Sequence, residues 1–180
     1  LPIYYPLVKI GTQYWMRDNL EASSYVGGEA LPRLDAVTAN VVGYLQSATE
    51  HYFYTANVVL SNKILPAHWS IPDWKDWNIL KDYLNGEASL LKSGTWLPLK
   101  AGEQVQSATN LSGFNGIPVG MYVGAFQTDY EKKHLAYWTL DNANAAIDIK
   151  VFYLKSDTDI IEESNAGVDT KAFAIRCIRK

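Results

Sequence analysis

From Pro66 to Gly86 the chain reads PAHWSIPDWKDWNILKDYLNG, and this stretch constrains the fold more than any other. Pro72 disfavours helix at Ile71. Asp73 is a good N-cap, because its carboxylate can accept from the amide three residues on. Asp76 at that third position makes an aspartate version of the capping box, and both acids suit the positive end of a helix dipole. Trp77, Leu80 and Leu84 follow at i, i+3 and i+7, with Trp74 and Tyr83 widening the stripe, while Lys75, Lys81 and Asp82 fall elsewhere. Gly86, just past Asn85, is a natural left-handed stop. The pattern predicts an amphipathic helix of about three turns with an aromatic buried face. The tryptophans Trp69, Trp74 and Trp77 also suggest a sugar-stacking platform, but core spacing on a helix favours burial.

The rest of the chain has to supply the layer that this helix covers. With 180 residues it suits one domain, residues 1–180, with room for a real core. Charged residues make up 19% and hydrophobic ones 48%, a globular balance. Apolar runs are too short for a membrane span, and the start at Leu1 reads as a cut from a longer precursor. A net charge of -3 argues against nucleic acid as a partner. One cysteine, Cys177, excludes an internal disulfide and a cysteine-based metal cluster.

Leu7–Met16 reads as a hairpin with Gly11-Thr12 as a two-residue turn, closed by Arg17-Asp18-Asn19. Residues 20–50 are the least legible: Ser23, Ser24, Gly27, Gly28 and Pro32 mark loop, and Val37–Leu45 fits either helix or strand. Thr38-Ala39-Asn40-Val41-Val42 recurs at Thr55–Val59, a coincidence rather than a repeat, since the flanks do not match. Residues 52–60 read as extended or short helical core, and Glu87–Lys92 as a second short helix. Residues 109–120, with Gly113, Gly116, Pro118 and Gly120, read as a fixed irregular loop leading into a strand at Met121–Val123. Leu135–Leu140 is a strand. Ile147, Ile149, Val151 and Tyr153 alternate with Asp148, Lys150, Phe152 and Leu154, giving another. Phe173, Ile175 and Cys177 alternate with Ala172, Ala174 and Arg176, giving a terminal strand expected to pair with the first. Early helices and late strands favour an α+β fold over a βαβ series.

Six pieces in order carry a family resemblance: VKIGTQYWMRDNL (8–20), LPAHWSIPDWKDWNILKDYL (65–84), LLKSGTW (90–96), NLSGFNGIPVGMY (110–122), AYWTLD (136–141) and AFAIRCIR (172–179). Through them the chain resembles the Fibrobacter succinogenes major paralogous domain family. The resemblance implies a C-type-lectin-like fold, with two short helices, a mainly antiparallel sheet, paired N- and C-terminal strands and a loop-rich upper half. It also implies a secreted or lipid-anchored protein on a bacterial surface or pilus. Family members commonly carry Cys-Pro-x-Gly-Trp-x-Leu-Pro before the main helix, whose cysteine can pair with one near the C-terminus. Here Leu65 replaces that cysteine and Cys177 is left alone. The usual Trp-Ser-Ser reads Trp138-Thr139-Leu140.

No catalytic site emerges. Cys177 reads as a buried structural thiol, and the formylglycine-generating activity within the same broad fold needs a cysteine pair that is missing here. His51, His68 and His134 lack zinc spacing. The calcium signatures of lectins of this fold are absent, and Asp141-Asn142-Ala143-Asn144 reads as a turn before a metal site. No cofactor is expected. Leu65, Trp69, Trp77, Phe114, Trp138 and Cys177 are assigned to packing. Residues 141–170 hold seven acids against Lys150 and Lys155. The broader fold also includes hypervariable ligand-binding proteins, in which the segment between the tryptophan strand and the terminal Arg-Cys holds the ligand-facing positions. The resemblance therefore implies Tyr137, Asp141, Asn142, Asn144, Tyr153, Lys155 and Asp157 as candidate binding residues, rigid aromatics mixed with adaptable polar groups. The bland alternative is a solvated acidic face. The expectation is a non-catalytic, adhesin-like domain binding a protein or glycan; the alternatives are a structural module of a larger envelope or pilus protein and, third, an enzyme.

Overall fold

The computed structural model describes residues 4–126, 130–140, 148–167 and 170–180, with the backbone alone at Asp148. The hairpin forms as its sequence dictates, β1 (Leu7–Ile10) against β2 (Gln13–Met16), with Ile10 opposite Gln13. Gly11 turns the chain at φ +59, and a Cβ there would meet the Tyr83 ring at 2.9 Å. The next elements are β3 (Tyr44–Gln46), β4 (Tyr52–Thr55), α1 (Ala56–Ser61) and β5 (Trp69–Ser70). The main helix α2 (Trp74–Tyr83), a 3-10 turn (Ala88–Leu90) and β6 (Tyr122–Val123) follow. The last third holds β7 (His134–Trp138), β8 (Asp148–Lys155), β9 (Glu162–Gly167), β10 (Lys171–Phe173) and β11 (Ile178–Arg179).

Helix α2 has the expected capping box: the Asp73 side chain accepts from the Asp76 amide, and the Asp76 carboxylate accepts from the Asp73 amide, both at 2.9 Å. Trp77 and Leu80 are buried within it, and Leu84 just beyond. Tyr83 does not belong to the buried stripe: it is 61% exposed and lies over the hairpin turn. The stop comes one residue early, since Asn85 already takes the left-handed conformation (φ 52) and the Gly86 amide reaches back to the Lys81 carbonyl.

The second helix expected over Glu87–Lys92 is only the 3-10 turn. The Asp159 carbonyl and carboxylate take the Ala88 and Ser89 amides, and the Ser89 carbonyl accepts from Thr109. Distant partners thus engage backbone groups at this turn. The second α-helix is instead Ala56–Ser61, after a strand, so both readings of residues 52–60 are realised. Residues 37–43 form neither helix nor strand and lead into β3.

Among the described residues three antiparallel sheets result, ordered β1-β2-β11-β5, β3-β4-β10-β6 and β7-β8-β9. The chain is sheet-rich α+β. One segment ties the sheets together. Residues 171–179 supply β10 and β11, bridge to β7 at Tyr137–Ala174, and accept the amides of Met16, Leu20 and Trp138. The terminal strand expected over residues 172–177 is broken: β10 joins the sheet of β3, β4 and β6, and residues 175–177 are neither helix nor strand. Only β11 shares a sheet with the first strand, its direct partners being β2 and β5.

The same segment divides two cores, and the predicted alternation is the reason. Ala172, Ala174 and Ile178 belong to one cluster with Trp15, Phe53, Trp77, Phe114, Tyr137 and Phe152. Phe173, Ile175 and Cys177 belong to the other with Met16, Tyr54, Leu65, Trp138 and Val151. In β8 the split repeats, Ile149 and Val151 facing one cluster, Phe152 and Leu154 the other. A period of two with apolar residues on both faces marks strands buried on both sides. Leu65, Trp77, Phe114, Trp138 and Cys177 are buried, and Trp69 is half-buried against the second cluster. Trp77 is the hub of the first. Its ring stacks on Phe152 at 4.1 Å and on Tyr137 at 5.7 Å, with Trp15 tilted at 4.8 Å. The tryptophans of α2 are therefore no exposed platform; even half-buried Trp74 is covered by the Lys150 ammonium, 4.6 Å from its centroid.

Candidate functional site

The expected ligand-facing residues do not converge. Asp141, Asn142 and Asn144 lie outside the described residues. Tyr137 is a correction: it is 0% exposed, and its hydroxyl lies 2.9 Å from both Asn19 and Arg176, so nothing of it is offered to a ligand. The cause is register. Tyr137 stands opposite Phe152, and Ala136 opposite Tyr153, so Tyr137 and Tyr153 face opposite sides of one sheet. Tyr153 is half-buried against Phe173, which pushes its hydroxyl up to about 12. Lys155 pairs with Glu162, and Asp157 is exposed.

A cleft forms elsewhere, above Arg176. This guanidinium is 1% exposed and lies 4.4 Å from the Phe114 ring centroid. Its Nη1 donates to the carbonyls of Met16, Arg17 and Phe114. Its Nη2 donates to the Asn115 carbonyl, Asn19 Oδ1 and the Tyr137 hydroxyl, and Nε donates to Asn19 Oδ1 as well. All its donor atoms are spent on the protein. Among the described residues no carboxylate stands within ion-pair distance of it. A buried cation held by carbonyls is tolerable only because each N–H is satisfied.

Arg176 thus braces the end of β2 against the 114–115 loop, and the space over this junction is a cleft of about 220 Å³. Asp18, Asn19 and Glu21 line one side, just past the hairpin. Asn115 (φ 59), Ile117 and Val119 line another, on the glycine-rich loop that the Asn110 side chain pins by accepting from the Asn115 amide. His51 enters from the β3–β4 connection, and Tyr4 and Tyr5 from the lead-in to β1.

Several polar groups here are uncommitted. Asp18 Oδ1 accepts from Asn115 Nδ2 at 3.0 Å, while among the described residues Oδ2 has no hydrogen bond. The Glu21 carboxylate, the His51 ring and Asn19 Nδ2 likewise have none there. The Tyr5 hydroxyl accepts from the Glu21 amide at 2.9 Å, and burial pushes it up to about 12, so it stays a neutral phenol. Tyr4 is 84% exposed beside it. The sequence held a faint signal of this site in Arg17-Asp18-Asn19, which reads only as the end of a hairpin. Glu21 and His51 sit in or next to the least legible stretch and carry no local signature.

Chemically the cleft offers acceptors and aromatic edges. No group of three His, Cys, Asp or Glu among the described residues is placed to hold a metal ion. Cys177 faces the second core, 0% exposed, and burial drives its thiol well above the usual range, which makes it inert as a nucleophile. No described helix is long and apolar enough to cross a membrane.

An α+β domain with two divided cores and a small cleft of mixed polar and apolar lining is the class that geometry defines. The family model described as the Fibrobacter succinogenes major domain matches residues 8–179, and the chain belongs to that family. No curated protein and no solved structure matches it significantly.

Proposed function

We propose that this is a non-catalytic, adhesin-like ligand-binding domain of a bacterial surface protein, built on a C-type-lectin-like fold and binding a protein or glycan. The cleft above Arg176 carries the reading. A concavity of mixed polar and apolar lining, edged by tyrosines and with acceptors left unpaired, suits a recognition site better than a packing surface. Two short helices and terminal strands sharing a sheet support the fold assignment. An extracellular location, by lipid anchor or on a pilus, is what the family resemblance implies and completes this reading. The site residues of this reading are Asp18, Asn19, Glu21, His51 and Asn115, with Lys155 and Asp157 as outliers of a wider surface. Arrays of glycans and of surface proteins, probed with the parent domain and with Glu21→Gln/His51→Ala, test it. A ligand retained by the parent and lost by the variant is expected; equal binding by both would remove the cleft from the reading.

A structural module within a larger envelope protein is the second reading, favoured by one observation. Leu111 is 79% exposed, and with Tyr83, Ile10, Leu84 and Leu90 it forms the apolar part of a groove completed by Lys9 and Ser112 next to the edge strand β1. Protection of Leu111 from hydrogen exchange in a longer piece of the same protein, but not in this domain, would favour it.

A further inference from the structure

We infer that the cleft above Arg176 receives a single cationic side chain, a lysine or arginine of a protein partner; this deepens the proposed function and rests on it. The first ground is what the floor lacks. Every nitrogen of the Arg176 guanidinium is spent on protein oxygens, so the buried cation has no N–H left for a carboxylate, sulfate or phosphate. An anionic ligand would meet two carboxylates and no free guanidinium.

The second ground is charge. Asp18 and Glu21 both line the cleft and neither makes an ion pair among the described residues. Against the one buried guanidinium they leave the cleft a single negative charge in excess. A ligand covering these carboxylates strips their water. Hydroxyl groups return hydrogen bonds but no charge, whereas an ammonium or guanidinium returns both.

Shape is the third. Ile117 and Val119 give the cleft an apolar wall, suited to the methylene stem of a long cationic side chain. Tyr4 and Tyr5 stand at the same cleft, and tyrosine faces attract a cation. The volume, about 220 Å³, falls below the range for drug-sized ligands, about 300–1,000 Å³, and fits one side chain.

The test titrates the isotope-labelled domain with Nα-acetyl-lysine N-methylamide, its arginine and norleucine counterparts, and methyl glucoside, following backbone amide shifts. Saturable shifts at Asp18, Glu21, His51 and Asn115 with lysine or arginine, and none with norleucine, are expected. Glu21→Gln, whose side chain holds no structural hydrogen bond, should weaken the effect several-fold, and added salt should weaken it further. Equal shifts with norleucine would reduce the cleft to an apolar dent and overturn the inference. Shifts with methyl glucoside alone would overturn it while leaving a glycan-binding domain standing. Silence with every probe, together with empty arrays, would take down the inference and the proposed function together.

Discussion

At the scale of single residues, two side chains carry more than their size suggests. Arg176 was legible only as a residue on the opposite face from Cys177, and that much is right: Arg176 faces Phe114 and Tyr137, while Cys177 faces the second core. Its role as a brace was not legible, because five of its oxygen partners lie about sixty or more residues away along the chain. Leu65 was read as the apolar stand-in for a half-disulfide, and it is buried in the same cluster as Cys177. Truncation of a buried leucine costs a transfer and a cavity term together, so Leu65→Ala is expected to lower stability by about 2–5 kcal/mol. Denaturant midpoints of parent and variant measure this, and an unchanged midpoint would show that the junction does not depend on that packing.

Among the elements, α2 was the most legible, because its signals are local: a proline before it, a capping box, a 3.6-residue apolar period and a left-handed stop. The cap also has a pH signature. Burial alone would raise the Asp73 carboxyl, but the Asp76 amide and the Lys180 ammonium outweigh burial and hold it below its ordinary value of 3.8. A carboxylate whose pKa is depressed by folding stabilises the native state above its unfolded pKa, and that contribution is lost as pH falls through the folded value. Asp73→Ala should therefore cost about 1 kcal/mol near neutrality. The gap between parent and variant should close below pH 3.8. Urea midpoints across that range check the sign; a gap that widens in acid would contradict it. The 87–92 segment shows the opposite case. Its residues permit a helix, and Asp159, about seventy residues on, takes the amides instead.

For the whole molecule, the segment 171–179 is the joint on which three sheets and two cores depend. The amides of Met16, Leu20 and Trp138 all donate to carbonyls of this segment, from three different parts of the chain. They are expected to exchange with solvent at one common, slowest rate set by global unfolding. Native-state hydrogen exchange measures this, and separate rates for the three would mean that the sheets open independently.

What the sequence determined by itself are the features whose causes lie within about a dozen residues: the hairpin around Gly11, the capped helix α2, and the two-sided alternation of β8 and the terminal segment. Only the tertiary structure decided the rest. Thr-Ala-Asn-Val-Val is irregular at 38–42 but at 55–59 ends a strand and opens α1, so these five residues carry no conformation of their own. The partner strands, the burial of Tyr137 and the cleft above Arg176 were settled the same way. Each depends on which distant backbone group supplies a hydrogen bond and which face a register leaves to solvent, and neither is written in local spacing.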